Sequence, residues 1–134
     1  MKKFLSIICC SIMLLAVSSC TKQYVTTGSN NVTVVTPIPL APSDWTLDAA
    51  SQSYTASINV PEITPGFVKT GGVIVAISGT DGVYEQVPEV YGGTSFSYTY
   101  NQGNVTLFAQ SPDGTTAIKP TITLTVKITL VTTD

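Results

Sequence analysis

The stretch TITLTVKITLV, residues 121–131, decides the fold. Ile122, Leu124, Val126, Ile128 and Leu130 alternate with Thr121, Thr123, Thr125, Lys127 and Thr129, a period of two that puts every apolar side chain on one face of an extended chain. Threonine on the other face suits a strand that is half buried and half wet. Eleven residues is long for one straight strand, so a bulge or bend is expected within it. Lys127 on the polar face is expected to discourage edge-to-edge pairing.

The same period recurs upstream. Tyr54, Ala56, Ile58 and Val60 alternate with Ser53, Thr55, Ser57 and Asn59 until Pro61 and Pro65 stop the strand, and residues 63–68 are expected to make a single helical turn. Trp45, Leu47 and Ala49 alternate with Asp44, Thr46 and Asp48, and Phe96, Tyr98 and Tyr100 alternate with Ser95, Ser97 and Thr99. Residues 72–77 are apolar on both faces, which predicts the most buried strand. Residues 83–87 read as a short strand ended by Pro88, and 105–109 as the return from a hairpin turn over 101–104.

Gly79 to Gly82, Gly92 with Gly93, and Ser111 to Gly114 supply the turns between them. Together they predict an all-β domain, an antiparallel β-sandwich of about seven strands, immunoglobulin-like in the broad sense, with a small β-barrel as the alternative.

The N-terminus has a different character. Lys2 and Lys3 precede an apolar run over 4–17 broken only by Ser6 and Ser11, the pattern of a secretory signal helix. It is shorter than the roughly 20 apolar residues that a spanning helix needs. Val17, Ser18, Ser19 and Cys20 then resemble the bacterial lipobox, which implies that Cys20 becomes the lipid-modified first residue of a mature chain of 115 residues. Two or three acyl chains, each adding about 0.8 kcal/mol per buried methylene, would hold it stably on a membrane.

The organisation expected is therefore a lipoprotein signal peptide over 1–19, a lipidated tether over 20–43 and a β-sandwich over 44–134. Thr, Asn and Val followed by Pro37, Pro39 and Pro42 read as an extended spacer, with a short strand over 32–35 as the other reading.

Charge and cysteine content narrow the function. Past the signal there are four lysines against eight carboxylates, and the chain has no arginine and no histidine. Nucleic-acid partners need clustered Lys and Arg and are not expected. Cys9 and Cys10 leave with the signal and the Cys20 sulfur is occupied, so no disulfide is expected and the fold rests on packing.

Without histidine or a free thiol, the usual triads and zinc sites have no members. Glu85 with Glu89 or Glu62 would be a carboxylate pair of glycosidase type, but no spacing fixes their separation. A non-catalytic module without metal or cofactor is expected. Asp81 and Asp113 stand alone beside glycines and read as turn residues in place of calcium ligands.

Trp45, Phe96, Tyr98 and Tyr100 are expected in the core, because rings sharing one strand face belong on its buried side. Tyr84 and Tyr91, flanking Pro88, are expected to be exposed and are the candidate surface for a partner, a glycan or an envelope protein.

Trp45, the run Val60, Pro61, Glu62, Ile63, Thr64, the strand from Gly72, Pro88, the Gly103 hairpin and the long final strand together resemble a group of small lipoproteins of Bacteroidota. The resemblance covers roughly residues 44–131 and implies a sandwich on a lipid anchor. This chain lacks the collagen-like glycine repeats of some members and the tyrosine common in their strand at 74–77. No functional residue carries over.

The expected place is the cell envelope, at the outer membrane. Thr21, Lys22 and Gln23 carry no acidic cluster of the kind associated with surface export in this phylum, which favours the periplasmic face. Assembly by strand addition through the C-terminal strand is a further expectation to test.

Overall fold

A computed structural model describes residues 31–132. The expected signal segment, Cys20 and the first part of the tether lie outside the described residues. Nine strands, one α-helix and a short 3-10 helix (Pro42–Asp44) occur among the described residues: β1 (Val32–Leu40), β2 (Thr46–Asp48), β3 (Ser53–Asn59), α1 (Pro65–Thr70), β4 (Gly72–Thr80), β5 (Val83–Gln86), β6 (Glu89–Tyr91), β7 (Thr94–Asn101), β8 (Asn104–Gln110) and β9 (Leu124–Val131). Every pairing is antiparallel, in two sheets ordered β1-β9-β4-β5 and β2-β3-β8-β7-β6. The sheets do not close on each other, so the fold is a β-sandwich and not a barrel.

The core follows from the alternation. Leu124, Val126, Ile128 and Leu130 of β9 face Val73, Val75 and Ile77 of β4, and all seven are buried. From the other sheet come Ala56 and Ile58, Val105, Leu107 and Ala109, and Phe96 with Trp45. Each large aliphatic side chain taken fully out of water contributes on the order of 2 kcal/mol. Trp45 meets Phe96 edge to face with ring centroids 6.1 Å apart, a geometry that the ring quadrupoles favour.

Several expectations are corrected. Residues 32–40 are not spacer: they form β1 and pair with β9 from Val32↔Val131 to Leu40↔Leu124. Alternating Val32, Val34 and the inward Val35 supply a strand pattern that the nearby prolines obscure. The irregularity expected in the last strand lies in its neighbours. β1 carries one extra residue between Val35 and Ile38, and β4 one between Ile77 and Thr80, while β9 pairs with β4 without a break.

Pro37 and Pro39 sit on this edge strand, where a missing N–H costs no ladder bond. β9 itself starts at Leu124, and Ile122 is exposed. It has β1 on one side and β4 on the other, so Lys127 guards no edge and the C-terminal strand has no free side for strand addition.

β4 is buried on one face only, since Ile74 on its outer face is 41 % exposed. The expected strand around Trp45 shrinks to three residues with Leu47 exposed. A short β6 appears that no alternation announced, and Gly92 and Gly93, both at positive φ, make the two-residue turn into β7.

Three contacts pin the layers together. Tyr98 Oη donates to the Val73 carbonyl across the sandwich at 2.5 Å. The Val87 amide donates to the Val75 carbonyl at 2.9 Å, where the chain leaves the first sheet for the second. The Gly103 turn accepts from the Val60 amide and donates to the Ile63 carbonyl, each at 2.8 Å. Between them α1 opens on Thr64, whose Oγ1 accepts from the Phe67 amide at 3.1 Å, with Pro65 in its first turn where no amide is needed.

Candidate functional site

Tyr84 and Tyr91 are not brought together. Tyr84 lies on β5 at the edge of the first sheet, facing outward, with Lys127 Nζ 4.0 Å from its ring centroid. A cation over a ring face at that range is a favourable contact. Tyr91 lies on β6 in the second sheet, pairs with Thr94 and packs against the core. Both are half-buried, so neither is the exposed aromatic that their flanking of Pro88 predicts. The reason is that β6 is a strand: its register turns Tyr91 inward with Thr94 and Phe96 and leaves Val90 outside, 52 % exposed.

Tyr91 forms one wall of a cleft of about 320 Å³. Its floor is Phe96, and its far side is the segment that crosses between the sheets, chiefly Ile118, Lys119, Pro120 and Ile122. The volume lies at the low end of the range for small-molecule pockets, roughly 300–1,000 Å³. Tyr91 is held against Gly79 of β4 so closely that a methyl at position 79 would lie 2.8 Å from the ring. The cleft therefore depends on a glycine in one sheet and a ring in the other.

The lining gives the cleft an apolar body, the Tyr91 phenol, the Thr94 and Thr121 hydroxyls and one cation. Lys119 extends toward Tyr54, with Nζ 5.8 Å from that ring. No carboxylate, cysteine or histidine lines it. The arrangement can bind and orient a small molecule, with the Tyr91 phenol and Lys119 as its titratable groups.

The carboxylates are spread out. Glu85 is on β5 of one sheet, Glu89 on β6 of the other and Glu62 in the loop before α1. Among the described residues no group of three acidic or cysteine side chains is gathered for a metal ion. Asp113 is a turn residue: its Oδ1 accepts from Ser111 Oγ at 2.5 Å, from Thr115 N at 3.1 Å and from Thr115 Oγ1 at 2.8 Å. These bonds hold its carboxyl below the usual aspartate value, with Ser111 the largest cause. Asp48 does the same in the turn into β3, accepting from Ser51 Oγ and the Ala50 amide, and its carboxyl is lowered likewise.

Trp45, Phe96, Tyr98 and Tyr100 all face the core. The Trp45 indole N–H is buried and finds no acceptor among the described residues. Sequence reasoning misses Lys119 and the wall around it, because residues 115–120 carry no period and the alternation over 121–123 reads as strand although β9 starts only at Leu124. The signal available was Pro120, which is buried immediately before the strand expected from Thr121. Comparison with protein-family models, with curated proteins and with solved structures finds no match.

Proposed function

We propose that this chain is a lipid-anchored lipoprotein of a bacterial envelope whose β-sandwich serves binding, adhesion or structural support without catalysis. The observation that carries the reading is the run from Lys2 to Cys20, a charged start, a short apolar stretch and a lipobox-like ending, placed ahead of an all-β domain. Among the described residues no helix is long and apolar enough to cross a membrane, and acyl chains on Cys20 supply the attachment. The outer membrane, at its periplasmic face, is the location that goes with it.

The non-catalytic part is supported by the dispersion of Glu62, Glu85 and Glu89 and by a cleft that brings no carboxylate, imidazole or thiol to its Tyr91 phenol and Lys119 amine. Most rings are spent on the core, which favours a structural or protein-binding role over a glycan platform, since sugar stacking needs coplanar exposed rings. Metabolic labelling with a radioactive fatty acid is the test. Label on the wild-type protein and none on Cys20→Ala supports the reading, and equal labelling of the two, or none on either, removes it. A glycan array probed with the purified protein separates the glycan alternative, which a specific signal would revive.

A further inference from the structure

The two outer faces of the sandwich differ in chemistry. On the β2-β3-β8-β7-β6 sheet, the outward rows include Ser57, Thr106 and Thr99, then Thr55, Phe108 and Ser97, then Gln110, Ser95 and Val90, mostly polar side chains around one half-buried ring with a single exposed valine at the β6 edge. On the β1-β9-β4-β5 sheet, Val32 stands opposite Val131, with Val34 and Ile74 as the diagonal neighbours of Val131 on either side. Opposed side chains on a sheet face touch and diagonal ones lie near, and Val34 and Ile74 both stand opposite Thr129, so the four make one aliphatic patch around that threonine. Beyond it lie Ala76, Lys127 and Tyr84, and no carboxylate occurs in the outward rows of this sheet. In a chain that past its signal has twice as many acids as lysines, that face combines an aliphatic patch with the uncharged Thr125, Thr129 and Gln86 and a single cation.

The patch also sits where the tether arrives. Val32 is the first residue of β1, and it belongs to the patch. Eleven residues lie between it and Cys20, a reach of about 40 Å at full extension, more than the roughly 15 Å width of a four-stranded sheet. The tether is long enough to let the whole face lie flat beside the anchor.

We infer that the outer face of the β1-β9-β4-β5 sheet rests on the lipid bilayer that holds the anchor, Val32, Val34, Ile74 and Val131 entering the headgroup boundary. Lys127 over the Tyr84 ring suits the same boundary, where an amphipathic ring and a lysine with an apolar stem keep their polar ends wet. The inference rests on the proposed lipid anchor.

The test uses the full chain, processed and acylated in a bacterial host and reconstituted into phosphatidylethanolamine–phosphatidylglycerol vesicles. Once the signal is removed and Cys20 acylated, an introduced cysteine is the one free thiol. Ile74→Cys and Thr99→Cys each take an environment-sensitive fluorophore. The two sites stand at the same height in the sandwich, since Tyr98 beside the one bonds Val73 beside the other, so a difference between them reports the face and not the distance from the anchor.

Brominated lipids are expected to quench the label at 74 several-fold more than the label at 99, with iodide in the buffer giving the reverse order. Equal quenching at both sites overturns the inference. So does iodide protection at 74 that grows with protein density and brings no lipid quenching, the signature of a second copy on the face. A mature protein that gains no acyl mass and does not partition into the vesicles overturns the anchor reading and this inference together, and mass spectrometry distinguishes that failure from the others.

Discussion

The phenol of Tyr98 on β7 donates across the sandwich to the carbonyl of Val73 on β4. β5 pairs only with the C-terminal half of β4, so this carbonyl lies beyond the ladder and the hydroxyl serves as its partner. Burial pushes the Tyr98 hydroxyl above its ordinary value, and Tyr100 adds to the shift. Tyr98→Phe keeps the ring and removes the bond, and is expected to cost about 1 kcal/mol.

The pH dependence has a definite sign. A raised value in the folded state means that folding favours the protonated phenol, so the contribution is full below the ordinary tyrosine value near 10 and is lost as pH rises through the folded value. Urea unfolding midpoints between pH 8 and 11 are expected to fall more steeply for wild type than for Tyr98→Phe. Parallel curves would mean that the hydroxyl is equally free to ionise in both states.

Gly79 and Tyr91 are a second inter-sheet pair, and they shape the cleft. A methyl at 79 overlaps the ring, so Gly79→Ala must move Tyr91 and is expected to destabilise by about 1–3 kcal/mol, the usual cost of overpacking. In a Tyr91→Ala background the same methyl has room. A double-mutant cycle read by chemical denaturation is expected to give a coupling above about 0.5 kcal/mol, and additive effects would place the ring elsewhere.

What was legible in the sequence was whatever one strand says by itself. The alternation at 53–60 and 121–131 gave the core faces of β3 and β9, and the glycine turns gave the hairpins around them. What was hidden depends on partners. Whether β9 is central or at an edge is a property of β1 and β4, and residues 72–77 look doubly buried because no sequence pattern tells that Ile74 has no layer above it. β1 was masked by Pro37 and Pro39, which rule out an interior strand and fit an edge. The candidate surface suffered likewise: Tyr84 and Tyr91 are seven residues apart, yet a change of sheet between them sends one ring outward and the other into the core.

Two glycines near strand ends are expected to respond oppositely to the same methyl. Gly103 has φ +74° and nothing within 4 Å of an added Cβ, so Gly103→Ala carries backbone strain alone, about 1–2 kcal/mol. The turn also braces Val60 and Ile63 through two backbone bonds, so strain there loosens the loop before α1. Gly72 likewise meets nothing within 4 Å but has no positive φ, and Gly72→Ala is expected to be neutral or to stabilise by up to about 1 kcal/mol through the unfolded chain. Thermal melts of the two variants test this, and equal losses would contradict it.

Asp113 supplies the last prediction. Its carboxylate is the common acceptor for Ser111 and Thr115, and the Ser111 amide and hydroxyl both engage Thr116 across the same turn, at 2.7 and 3.0 Å. Because these bonds favour the charged form, the folded-state value lies below the ordinary aspartate value. The stabilisation is thus complete above the unfolded value of about 3.9 and disappears as pH falls through the lowered folded value. Asp48 titrates in the same direction through Ser51 and Ala50, so wild type is expected to lose stability in two contributions below about pH 4. Asp113→Asn removes one of them. Its unfolding midpoint is expected to be lower than wild type at pH 7 and to converge toward it as the pH falls to about 2, where the wild-type carboxyl is protonated too. A constant gap between the two proteins down to that pH would mean that Asp113 acts through its shape and not through its charge.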